Sequence, residues 1–165
     1  MSMWVLLWLQ IVVLANGLIA GVFLAFSDFK MRALILTSGV GGAEAMQVIN
    51  REVFRWVFMV VFTGPAPVSI GIAVYGLVWI GGAPGILFGI AGATYLVGCF
   101  MVTVVISVPM NEALADMSLS DPATRAYWLD AYVPRWTFWN SVRAMTSAVA
   151  SVAMMTGLIL LGHTG

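Results

Sequence analysis

Charged side chains are confined to two short windows of the chain, and the stretches around them are apolar. All seven acidic and seven basic residues fall within residues 28–55 and 112–143. Residues 1–27, 56–111 and 144–165 contain no Asp, Glu, Lys or Arg. A helix needs about 20 mostly apolar residues to cross the hydrocarbon core of a bilayer. The outer stretches therefore each predict one crossing and the middle stretch predicts two, which places both charged windows on the same side of a membrane.

This pattern predicts an all-α fold, an integral membrane four-helix bundle with amphipathic cap segments on one side. We interpret residues 1–165 as a single transmembrane domain. The four spans are predicted at about residues 3–26, 53–80, 85–108 and 136–161.

The charged windows predict the cap segments. After the glycine-rich residues 38–42, residues 43–55 show helical periodicity, with Glu44, Gln47 and Arg51 expected on one face. In the second window, aromatic side chains alternate with charged ones, which is typical of the headgroup level of a bilayer. Asp121-Pro122 predicts the start of a helix, with Asp as the cap and Pro in the first turn.

The distribution of basic residues predicts the orientation. The termini and the reversal at residues 81–84 contain none, and all of them lie in or near the two cap segments. Cytoplasmic loops carry an excess of Lys and Arg. We therefore expect a multi-pass protein of the cell membrane with a cytoplasmic cap and both termini facing outward.

Composition excludes several classes of function. A composition that is 62% hydrophobic and 8% charged indicates the lipid bilayer as the environment, and zero net charge without a basic run argues against nucleic acid. Cys99 and His163 are the only cysteine and the only histidine. No metal site built on several histidines or thiolates is therefore expected.

Polar residues cluster where the spans meet the cap. Trp136, Trp139, Asn140 and Arg143 recur at helical spacing, so all four are predicted to point the same way. Arg143 lies about two turns inside the fourth span and must reach the interface or pair within the bundle. The carboxylates best placed to meet it are those of Glu112 and Glu44. A structural interpretation remains open, in which Asn111, Asn140, Arg143 and Glu112 only tie the third and fourth spans together.

Four motifs, in this order, resemble those of the anthrone oxygenase-like family of small membrane proteins. They are Phe26-Ser27, Met46-Gln47-Val48-Ile49-Asn50-Arg51, Ser107-Val108-Pro109-Met110-Asn111, and Trp136-Thr137-Phe138-Trp139-Asn140-Ser141-Val142-Arg143. The chain departs from the family pattern at Ser141, where a histidine is usual, and at Arg32, where a proline is usual. If that histidine is a base in the family's enzymes, this chain lacks it.

The resemblance implies a cofactor-independent oxygenase that oxidises an apolar polycyclic or quinone-like substrate with dioxygen under the cap. Such chemistry requires a base, donors for an enolate oxygen and a dry aromatic pocket. Glu44 or Glu112 is the candidate base, and Asn140 and Arg143 are the candidate catalytic donors. The predicted substrate-binding residues are Gln47, Asn50, Asn111, Trp136 and Trp139. No cofactor is implied.

The alternative is a non-catalytic membrane accessory subunit or scaffold that binds lipid, pigment or a protein partner. Ser141 in place of histidine and the scarcity of titratable groups favour it. In both readings a hydrophobic small molecule is a candidate partner, and a homo-oligomer or a larger membrane complex is an open alternative to a monomer.

Overall fold

The structure, a computed structural model, describes residues 3–163, apart from the side chain of Trp56. This part of the chain forms five helices and no strand, which confirms the predicted all-α fold. The helices are α1 (Met3–Ile35), α2 (Gly41–Glu52), α3 (Val57–Ile80), α4 (Gly82–Ala115) and α5 (Pro122–His163). Residues 1–2 and 164–165 of the predicted domain lie outside the described residues.

Four of these helices, α1, α3, α4 and α5, are long and apolar enough to cross a membrane. They carry large apolar side chains on the outside of the bundle, including Leu14, Val60 and Val152, each more than half exposed. Contiguous apolar surface of this kind is typical of contact with lipid rather than water. The arrangement is that of a multi-pass membrane helix bundle.

Three of the long helices continue past the predicted spans, because the flanking charged segments stay helical. In α1 the continuation begins with a wide turn, in which the Met31 amide donates to the Phe26 carbonyl five residues earlier. The start of α5 follows the sequence prediction, since the Asp121 carboxylate accepts the Ala123 amide at 2.9 Å. We call these continuations, together with α2, the cap (residues 27–55 and 108–135).

The second long helix begins later than the predicted residue 53. The turn that links α2 to α3 comprises residues 53–55, and Arg55 has an extended backbone (φ −63°, ψ 139°). Further on, Gly64 keeps helical dihedral angles (φ −56°, ψ −44°) ahead of Pro65. The buried Tyr95 hydroxyl of α4 donates to the Phe62 carbonyl beside this site. Gly64 and Pro65 therefore lie where α4 contacts α3.

The faces of α2 differ from those predicted. Its buried face contains Ala43, Met46, Gln47 and Asn50, whereas Glu44 and the residues in line with it are exposed. Gln47 is buried because its amide nitrogen donates to the carbonyls of Leu114 (2.8 Å) and Met117 (3.0 Å) at the end of α4. The Leu114 carbonyl also accepts the Met117 amide at 3.2 Å, and the Gln47 side chain supplies a further donor at this helix end, where carbonyls lack partners within the helix. Gln47 thus attaches α2 to the bundle.

Glycines allow α3 and α4 to approach closely. A Cβ atom on Gly92 would lie 2.4 Å from the Ser69 carbonyl oxygen, and one on Gly85 would lie 2.3 Å from that of Gly76. Gly81, with φ 67°, makes the reversal between the two helices. The helices are therefore packed backbone against backbone at the end opposite the cap, and a cavity is left at the cap end.

Candidate functional site

A cavity of about 780 Å³ lies under the cap and is lined by all five helices and the 53–55 turn. Most of its wall is apolar, and seven of the lining residues are aromatic. The aromatic lining residues are Phe23, Phe26, Phe54, Phe58, Phe62, Phe100 and Trp136. A volume of this size is typical of a small-molecule site.

The rings on one side of the cavity form a stack. Phe62 lies between Phe58 (6.0 Å between centroids, 6° between planes) and Phe100 (5.7 Å, 23°). On the other side Phe26 makes an edge contact with Trp136 at 5.8 Å. Parallel rings of this kind suit a flat aromatic ligand, because offset stacking is a favoured geometry between aromatic rings.

Arg143 is the charged group deepest in the cavity wall and is only 4% exposed. Its guanidinium donates to the Asn140 side-chain oxygen at 2.7 Å and to the Thr103 hydroxyl at 3.3 Å. It also lies over the rings of Phe23 (4.2 Å) and Trp136 (5.3 Å). The predicted ion pair with Glu112 or Glu44 is not formed. Aromatic faces and neutral oxygens hold this cation instead.

Asn111 lines the same cavity as Arg143. Its side-chain oxygen accepts from the Tyr132 hydroxyl at 2.7 Å and from the Trp136 indole nitrogen at 3.0 Å. Two donors on one side of the amide fix its orientation. Its NH2 group points the other way and makes no hydrogen bond within the described residues.

Asn50 supplies a second amide to the cavity wall. It lies near the Tyr132 hydroxyl, but its buried nitrogen has no hydrogen-bond partner among the described residues. Buried donors are normally paired. Asn50, Asn111 and Arg143 therefore bring donor groups to one cavity, and their role as site residues stays a prediction.

Glu52 and Arg55 lie at the rim of the cavity. They form an ion pair at 2.6 Å, with both side chains more than half exposed. Leu18 and Val22 on α1 and Val57 on α3 also line the cavity and are exposed on the outside of the bundle. The cavity therefore opens sideways between α1 and α3, on the surface that faces lipid.

Asn140 does not line the cavity but connects α1, α5 and Arg143. It is fully buried, and its nitrogen donates to the Phe23 carbonyl (2.6 Å) and the Ser27 hydroxyl (2.7 Å). Ser141, at the position where the family usually has histidine, donates to the same Ser27 oxygen at 2.9 Å. This part of the Trp-x-x-Trp-Asn motif is thus a helix contact that holds the arginine in place.

Four other predicted site residues lie outside the cavity. Gln47 is used in the attachment of α2, and Trp139 is half-buried with an edge contact to Phe138 at 5.3 Å. Glu44 and Glu112 are both exposed. Each helix turns its apolar residues inward and leaves its carboxylate in water, because an unpaired buried charge is costly. Their predicted role as bases stays a prediction, without a contact to the cavity that would support it.

Several residues that line the cavity carry no signal in the sequence. Thr103 and the phenylalanines other than Phe26 are inside apolar spans, where nothing distinguishes them from lipid-facing residues. The sequence could have indicated Glu52 as a candidate site residue, because this carboxylate lies three residues before Arg55 at the start of a span. Within residues 3–163 there is no group of three or more His, Cys, Asp or Glu side chains arranged to hold a metal ion.

The fold and the cavity define the class of protein: a multi-pass membrane helix bundle that encloses a site of small-molecule size. A family model described as anthrone oxygenase matches residues 54–153, more than half of the chain. The chain therefore belongs to the anthrone oxygenase family, as the four motifs indicated. The matched region includes α3, α4 and the part of α5 that carries Trp136 and Arg143. Comparison with curated proteins and with solved structures found no match.

Proposed function

We propose that this protein is a cofactor-independent oxygenase that oxidises an apolar polycyclic substrate with an acidic methylene group, such as an anthrone. The observation that carries the proposal is the donor group formed by Arg143 and Asn111 in the wall of an aromatic cavity under the cap. Family membership supports the same reading.

The proposed reaction converts the methylene carbon and dioxygen into a carbonyl group and water. Loss of one methylene proton gives an enolate, which passes an electron to dioxygen, and the carbon and oxygen radicals combine into a peroxide. Loss of the second proton with cleavage of the O–O bond leaves the carbonyl, and the other oxygen atom departs as water. Arg143 and Asn111 would stabilise the enolate oxygen, because fixed donors aimed at developing negative charge lower the barrier.

Glu52 is our candidate for the group that receives the first proton. It is the acidic residue among those that line the cavity, and its carboxylate contacts Arg55 at 2.6 Å. Its position at the rim gives the proton a path to water. Glu44 and Glu112, the bases predicted from the sequence, would need the cap to rearrange.

Oxygen consumption by the purified protein in lipid nanodiscs tests this function. With an anthrone substrate, we expect protein-dependent oxygen uptake that falls about a hundredfold in Arg143→Gln, the usual loss when a donor to an oxyanion is removed. Arg125→Gln, on the exposed surface of the cap, is the matched control and should retain the parental rate. Oxygen uptake no faster than in empty nanodiscs, or an unchanged rate in Arg143→Gln, would contradict the proposal.

One observation favours the alternative of a non-catalytic binding protein. Neither carboxylate predicted as a base from the sequence lines the cavity, and Glu52 lies at the rim, away from Arg143. An accessory subunit or scaffold that binds lipid or pigment would need only the aromatic wall and the donors. A tightly bound hydrophobic molecule in the purified protein, unchanged by oxygen, would favour this alternative.

We further propose the cell membrane as the location, with the cap in the cytoplasm and both termini outside. The support is the concentration of basic residues in the cap and the positive-inside tendency. A homo-oligomer or a larger membrane complex is compatible with the apolar outer surface of the bundle, which lipid would otherwise cover.

A further inference from the structure

We infer that the cavity binds its ligand as a hydrophobic anion, a planar molecule whose oxyanion pairs with Arg143. The inference rests on the proposed site and specifies its substrate class: enolates and phenolates of polycyclic compounds rather than neutral quinones or hydrocarbons.

The charge of the cavity wall favours an anionic ligand. Arg143, Arg55 and Glu52 are its charged residues. Glu52 and Arg55 neutralise each other at the rim, so one positive charge remains, on Arg143. No carboxylate among the described residues lies within 4 Å of that guanidinium. A buried cation without a counter-ion is unfavourable, and a bound anion would remove this cost.

The cavity wall offers free hydrogen-bond donors to a ligand. The Asn111 oxygen is occupied by Tyr132 and Trp136, so the amide presents its NH2 group. The Asn50 nitrogen and the Arg143 Nε atom are buried donors without a hydrogen-bond partner in the described structure. The Thr103 hydroxyl already donates to the Cys99 carbonyl at 2.8 Å and accepts from Arg143. These three free groups are donors, which suit an oxygen ligand that only accepts.

The shape of the cavity and its opening favour a flat ligand that enters from the lipid phase. The stacked rings of Phe58, Phe62 and Phe100 fit a flat molecule, and the opening between α1 and α3 faces the lipid phase. A polycyclic phenol or carbon acid dissolves in lipid in its neutral form. Ionisation next to Arg143 would then retain it, because the anion gains the paired charge and the donors together.

The probe for the test is 2-hydroxyanthraquinone, whose phenolate absorbs at longer wavelength than its phenol and which has no methylene group to oxidise. In nanodiscs containing the protein, we expect the pKa of the bound probe to fall by about one unit or more relative to empty nanodiscs. This shift corresponds to about tenfold tighter binding of the phenolate than of the phenol. The neutral analogue 2-methoxyanthraquinone should bind about tenfold more weakly than the ionised probe.

Two variants test the assignment of the anion to Arg143. Arg143→Gln should remove the preference for the phenolate, whereas Arg125→Gln should keep it. If Arg143→Gln does not fold, Asn111→Asp decides the question. This change keeps an oxygen for Tyr132 and Trp136 while placing a negative charge in the cavity that Arg143 lines, so the preference should again be lost.

Equal affinity for the phenolate and its neutral analogue, binding of neither, or a preference that survives in the folded variants would overturn the inference. Because the probe cannot react with dioxygen, the result is independent of the oxygen-uptake assay. A protein that prefers the phenolate but consumes no oxygen would refute the oxygenase and leave the anion site standing.

Discussion

At the residue scale, Arg143 shows how a cation is accommodated below the cap. Sequence reasoning expected a carboxylate partner, but the structure surrounds the guanidinium with Asn140, Thr103 and two aromatic rings. A carboxylate partner would itself have to be desolvated, which often cancels the gain from pairing. Neutral partners leave the positive charge uncompensated, so Arg143 stays available to pair with a negatively charged ligand.

Asn140 should therefore be a positioning residue with a large effect on stability. Asn140→Ala removes the donors to Phe23 and Ser27 and the acceptor for Arg143, and we expect the free energy of unfolding to fall by about 1–3 kcal/mol. Thermal unfolding in one detergent measures the change. The control is Thr156→Ala on the same helix, whose hydroxyl bonds only to the Val152 carbonyl. A melting temperature equal to that of the parent in Asn140→Ala would contradict this role.

Gln47 illustrates why the binding partner of a polar residue was harder to predict than the need for a polar residue at that position. The sequence suggested a substrate donor, and a polar residue was indeed required there. Its partners are backbone carbonyls at the end of α4, about seventy residues later in the chain. No side-chain pattern marks such carbonyls, so sequence alone could not separate an attachment from a binding site.

At the scale of the helices, contacts between α3 and α4 depend on the absence of side chains. Backbone atoms of α3 lie against Gly85 and Gly92, and the Leu77 side chain lies against Gly89. Interfaces of small residues are the usual means by which helices associate in lipid, where no hydrophobic effect drives them together.

Gly92→Ala and Gly71→Ala make a matched test of this contact. A methyl group on Gly92 would meet the Ser69 carbonyl at 2.4 Å, so α3 and α4 must separate and the melting temperature should fall. A methyl group on Gly71 meets nothing within 4 Å, and alanine is favoured over glycine in a helix by up to about 1 kcal/mol. Gly71→Ala should equal or exceed the stability of the parent. Thermal unfolding that ranks Gly92→Ala level with Gly71→Ala would disprove the close contact.

At the scale of the whole molecule, both charged windows meet at one end of the bundle. The hydrogen bonds from Gln47 to the Leu114 and Met117 carbonyls join the first window to the second. Four apolar helices then place the start of α1 and the end of α5 at the opposite end of the bundle. The cavity lies directly beneath the joined windows. The predicted orientation therefore places the cavity near the same side of the membrane as the cap.

Cysteine labelling tests this topology. The native Cys99 is fully buried, so the parent should not react with a membrane-impermeant maleimide. Ser38→Cys and Ser120→Cys lie on exposed parts of the cap and should be labelled only in inside-out vesicles. Ala83→Cys, at the opposite end of the bundle, should be labelled only in right-side-out vesicles. Labelling of the two cap positions from opposite sides would contradict the fold, and labelling of both only from outside would contradict the orientation.

The sequence by itself determined the helical class, the number of apolar helices, the shared location of the charged windows and the family. Each of these follows from a local property, because the cost of burying charge in lipid acts along a continuous stretch of chain. Only the tertiary structure decided that Asn50, Asn111, Trp136 and Arg143 share a cavity while Gln47, Trp139, Glu44 and Glu112 lie outside it. That division depends on which faces of five helices converge and on which backbone carbonyls require a donor, and neither is encoded in the spacing of residues along one helix.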